Sequence, residues 1–131
     1  MKTPIEITGG LLIALALLHL AFPRYFRWKE ETAALSLLTR QVLHVHTFFI
    51  ALTVFLMGLL CLTSAADLMA TPLGRRISLG LAVFWGLRLG IQLFGYSSTL
   101  WRGKPFETLV HIAFTLLWAW LTTLFAMTAR A

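Results

Sequence analysis

Residues 42–63 read VLHVHTFFIALTVFLMGLLCLT. A helix that crosses the hydrocarbon core of a bilayer needs about 20 mainly apolar residues, and this stretch supplies them. Three further segments share its character. One runs over roughly 5–22 and stops at Pro23, ahead of Arg24, Arg27 and Lys29. Another runs over 77–98, after the turn signals Pro72 and Gly74. The last runs over 106–128, after Gly103 and Pro105. For the quoted stretch a start near Thr32 is the alternative, which would carry its helix beyond the membrane surface. Short connections make consecutive spans antiparallel neighbours. The expected fold is all-α: an integral membrane protein forming one antiparallel four-helix transmembrane bundle, a single domain over residues 1–131.

Composition agrees. Of the 131 residues, 59% are hydrophobic and 12% charged, and mean hydropathy is +0.83. Soluble domains carry roughly 45–50% apolar and 25% charged residues. Disorder is excluded, and an ordinary water-soluble globule does not fit. The first residues resemble a signal peptide, with Lys2 ahead of the apolar run 11–18. The stretch after that run, His19 to Pro23, offers no small-x-small cleavage site before the charges begin, so a retained first transmembrane helix is expected.

The formal charge is +6, from 11 Lys and Arg against 5 Asp and Glu. Most of the basic residues flank apolar runs, where they meet anionic headgroups. No basic face interleaved with aromatics points to nucleic acid. The loops after the first and third spans carry Arg24, Arg27, Lys29, Arg40, Arg102 and Lys104, six basic residues. The opposite side carries four: Lys2, Arg75, Arg76 and Arg130. The positive-inside rule then favours loops one and three in the cytoplasm, with both termini outside; the small size and composition point to a bacterial inner membrane. Tyr25, Phe26, Trp28, Trp101 and Phe106 form an aromatic belt on that side. Cys61 stands alone in an apolar run and cannot form an internal disulfide.

Polar residues inside a bilayer are costly and each needs a reason. His19 lies near the end of the first span, and His44 and His46 near the start of the second. Gln92 and Tyr96 lie near the end of the third, with Arg88 close to its middle. Glu107 and His111 open the fourth. Antiparallel packing puts all of these in one leaflet. Glu107 and His111 are spaced i, i+4 and share a face, which Thr115 and Trp118 continue. That spacing lets Glu107 accept a hydrogen bond from the His111 ring and fix its tautomer. Arg88, Gln92 and Tyr96 form a second stripe at intervals of four. His44 and His46 stand about 200° apart on a regular helix, so only one faces inward. His46 is favoured, because Thr53 continues its face.

Three readings follow. The first is a redox protein with haem b ligated by His46 and His111, two imidazoles on facing helices. Arg88, Gln92 and Tyr96 would line the cofactor, Arg40, Arg102 or Tyr96 would meet its propionates, and electrons would pass to a quinone. The second is a non-haem Fe, Cu or Zn site built from His19, His44 or His46, His111 and Glu107, acting on a lipid-soluble substrate. The third is a cofactor-free subunit that binds a lipid headgroup or small anion through Arg88 and histidines. In that role it would join a larger membrane complex or a second copy of itself. In the plainest reading Arg88 only pairs with Glu107, and Gln92 and Tyr96 only join helices. No H-E-x-x-H, C-x-x-C, G-x-S-x-G or Walker motif occurs.

Overall fold

The computed structural model describes residues 2–25, 30, 33–95 and 103–130. Among them the chain is all-α, and four helices are long and apolar enough to cross a membrane. Helix α1 is Lys2–Tyr25 and α2 is Leu37–Thr63. A short α3, Ala65–Ala70, leads into α4, Pro72–Gly90, which continues as a single π-helical turn, Ile91–Gly95. Helix α5 is Pro105–Arg130. Only 22–33% of each spanning window is buried. The outward faces are leucine, phenylalanine and valine, with Leu17, Val83, Leu87 and Leu116 all exposed. Such faces require an apolar solvent, which a bilayer provides.

The helix ends show what the sequence signals meant. Ser36 caps α2, its Oγ accepting from the Thr39 backbone N–H at 3.2 Å. The helix therefore begins between the two expected starts. Thr71 caps α4, accepting from the Gly74 N–H at 2.9 Å while its hydroxyl donates to the Asp67 carbonyl at 2.8 Å. Pro72 thus occupies the first helical turn, where a missing N–H costs nothing, and α4 starts five residues before the expected 77. Pro105 plays the same part in α5. Pro23 does not end α1, which runs on to Tyr25. A proline in the last turn forfeits one hydrogen bond rather than a run of them.

The chain divides into two compact units, one of Thr3–Ala65 and one of Ala66–Ala131 with Met1–Lys2. In the first, α1 and α2 touch backbone to backbone. A Cβ on Gly9 would stand 2.8 Å from the Gly58 carbonyl oxygen, and one on Gly58 would stand 2.7 Å from that of Gly9. Small residues permit this approach where apolar burial gives no preference for protein over lipid. Leu12, Ala16, Val54 and Cys61 are buried there. In the second unit, α4 packs along α5. Its core holds Leu81, Trp85, Trp118, Leu121 and Phe125, together with the polar Ser78 and Thr128. Those two hydroxyls donate to the carbonyls four residues back, Gly74 and Leu124. In apolar surroundings that removes the cost of a bare hydroxyl.

Candidate functional site

The hairpin of α4 and α5 concentrates the polar chemistry of its unit. Trp118 is the centre. Its indole stacks on Trp85 with ring centroids 5.2 Å apart and planes 10° from parallel. Phe114, one turn earlier on α5, stacks on it at 5.5 Å. The Arg88 guanidinium carbon lies 5.0 Å from the Trp118 ring centroid. A desolvated cation over an indole face gains about 2 kcal/mol, which helps a guanidinium sit within a span.

A hydrogen-bonded chain leaves the same indole. Trp118 Nε1 donates to Gln92 Oε1 at 3.3 Å. Gln92 Nε2 donates to His111 Nδ1 at 3.0 Å. The indole can only donate, so it fixes which end of the amide is oxygen. The amide nitrogen then faces His111, so Nδ1 accepts and the imidazole proton resides on Nε2. Gln92 itself is buried and lies in the π turn. A π turn rotates following side chains relative to a regular helix and often marks a functional position. Trp85 adds a second donor. It is 2% exposed, and its Nε1–H has no hydrogen-bond acceptor among the described residues.

The structure thus gathers Arg88, Gln92 and His111 around Trp118. Trp85 extends the α4 stripe by one turn, three residues before Arg88, and sequence reasoning passed over it. Its position on the Arg88–Gln92 face was the available signal. Glu107 does not join. Arg88 lies at the level of Trp118, eleven residues after Glu107, or about 16 Å along the helix at 1.5 Å per residue. The direct Arg88–Glu107 pair is therefore not formed. Glu107 is exposed, and the His111 Nδ1 partner is Gln92 rather than the glutamate. Tyr96, Arg102, Trp28 and Trp101 lie outside the described residues.

The remaining histidines belong to the unit of α1 and α2. His19 Nδ1 lies 2.8 Å from the Leu15 carbonyl, and His46 Nδ1 lies 2.8 Å from that of Val42. A carbonyl only accepts, so both rings donate from Nδ1, whereas His111 accepts there. His46 and Thr53, expected on an inward face, are exposed, and so is His44. Among the described residues, no three His, Cys, Asp or Glu side chains form a group that would hold a metal ion. No family model, curated protein or solved structure matches the chain.

Proposed function

We propose that this chain is a membrane-embedded binding protein whose α4–α5 hairpin receives the anionic oxygen group of a lipid-soluble molecule. One observation carries the reading: the Trp85 Nε1–H is buried without an acceptor among the described residues, three residues from Arg88 on the same face. A buried donor left unmade costs about 1–3 kcal/mol. An oxygen ligand would remove that cost and meet the guanidinium charge together. An intramembrane arginine is itself a mark of function. In a bacterial inner membrane, six basic residues against four favour loops one and three in the cytoplasm.

This reading is placed ahead of haem b ligation by His46 and His111, with electron exchange to a quinone, because of the His111 tautomer. An axial imidazole offers an Nε2 lone pair and keeps its proton on Nδ1. The Trp118–Gln92–His111 chain supports the reverse.

The test uses detergent-purified protein and a bromine-labelled fatty acid, which quenches nearby tryptophan fluorescence. Saturable quenching by the acid, and none by its methyl ester, is expected. Arg88→Gln should weaken the acid's apparent affinity by about tenfold to a hundredfold, the usual worth of a charged hydrogen bond. Trp85→Phe should weaken it less. Equal quenching by acid and ester, or unchanged affinity in Arg88→Gln, overturns the proposal. A Soret band that sharpens with dithionite would restore the haem reading.

A further inference from the structure

At the far end of the same hairpin lies a second feature, remote from Arg88. Pro72, Arg75, Arg76 and Leu79 of α4 face Ala126, Ala129 and Arg130 of α5 across an open cleft of about 460 Å³. The residues fall at i, i+3, i+4 and i+7 on α4 and at i, i+3 and i+4 on α5, so each helix contributes one continuous face. Three of the seven lining residues are arginines, and none is acidic.

The cleft is polar at one end and apolar at the other. Both spans end here, α4 at Pro72 and α5 at Arg130, so the guanidinium groups stand at headgroup level. Leu79 lies about 10 Å further into the span than Pro72, at 1.5 Å per residue, and is 58% exposed. Ala126 and Ala129 lower the facing wall of α5, which leaves room beside Leu79 for a hydrocarbon chain. Arginine suits this position better than lysine, because its planar fork meets two phosphate oxygens at once. Basic pockets between transmembrane helices at this depth have the chemistry to hold anionic lipid headgroups.

We propose that this cleft is a binding site for one anionic phospholipid. Arg75, Arg76 and Arg130 clasp its phosphate, and one acyl chain runs inward along Leu79 and Ala126. The site is independent of the Arg88 site, and either can fail without the other.

The experiment is native mass spectrometry of the full chain released from detergent, with phosphatidylglycerol or phosphatidylcholine of identical acyl chains added. One retained phosphatidylglycerol per chain is expected, with phosphatidylcholine occupancy at least tenfold lower. The triple variant Arg75→Gln, Arg76→Gln, Arg130→Gln should lose that preference while keeping the helical circular dichroism of the parent. Ala129→Trp, which fills the groove without removing charge, should also lower occupancy, and Arg88→Gln should leave it unchanged. Glycerol phosphate, the headgroup chemistry without chains, should compete only weakly. Equal retention of the two lipids overturns the proposal, as does full retention by the triple variant or by Ala129→Trp. Competition by glycerol phosphate as strong as by the lipid overturns the lipid assignment.

Discussion

Gln92 joins two neighbours that make opposite demands on its amide. The Trp118 indole requires an acceptor and finds Oε1 at 3.3 Å, which turns Nε2 toward His111 at 3.0 Å. One side chain therefore sets the proton position of another, a role usually filled by a carboxylate or backbone carbonyl that would impose the other tautomer. The consequence is testable by exchanging one atom. In Gln92→Glu the ionised carboxylate accepts at both oxygens, so Trp118 keeps its partner while His111 must move its proton to Nδ1. Nitrogen-15 NMR of ring-labelled protein should show an unprotonated Nδ1 in the parent and an unprotonated Nε2 in the variant. The same tautomer in both would sink the assignment. Gln92→Leu, which removes both bonds, should lower stability by about 1–3 kcal/mol. The polar stripes in the sequence placed Gln92 and His111 at one depth. They did not reveal which atoms meet, because that depends on the π turn at Ile91–Gly95, and a five-residue change of helical pitch leaves no mark in hydropathy.

At the scale of elements, the corner between α3 and α4 rests on Gly74. A Cβ there would overlap the Asp67 carbonyl oxygen and lie 2.7 Å from the Leu68 Cα. Both are backbone atoms that cannot move aside alone. Gly80, two turns along the same helix, has nothing within 4 Å of the equivalent position. Gly74→Ala should therefore destabilise the protein by about 1–3 kcal/mol, as overpacking does. Gly80→Ala should stabilise it by roughly 0.5–1 kcal/mol through helix propensity alone. Denaturant titrations followed by circular dichroism in one detergent separate the two, and equal effects would show that the corner yields. The corner also explains where the sequence reading of the elements stopped. Pro72 and Gly74 read as a turn, yet both belong to α4: the proline because its position needs no N–H, the glycine because α3 leaves no room for a side chain. Residues 42–63 lie wholly inside α2, since twenty apolar residues admit few alternatives. Its true start at Leu37 depends on a single serine cap.

For the whole molecule, the strongest legible property was the solvent. Four long apolar helices with mostly unburied faces follow directly from hydropathy. Depth was legible too, and it aligned Gln92 with His111. Direction around each helix was less so. His46 was expected inward, but it is exposed and turns Nδ1 onto its own Val42 carbonyl, a bond that any helical position allows. Orientation across the membrane rests on six basic residues against four, and a margin that narrow makes a sharp prediction. In a Cys61→Ala background, Leu73→Cys and Lys104→Cys report the two sides. With loops one and three in the cytoplasm, a membrane-impermeant maleimide added to intact spheroplasts should label Leu73→Cys at once. Lys104→Cys should react only after permeabilisation, and the reverse pattern would overturn the orientation. Neutralising Arg24, Arg27 and Lys29 to glutamine leaves three basic residues on that side, or two in the Lys104→Cys reporter, against four on the other. The bias then reverses in sign, and Lys104→Cys should begin to label in intact cells. Unchanged labelling would mean that orientation is set elsewhere than by the first loop.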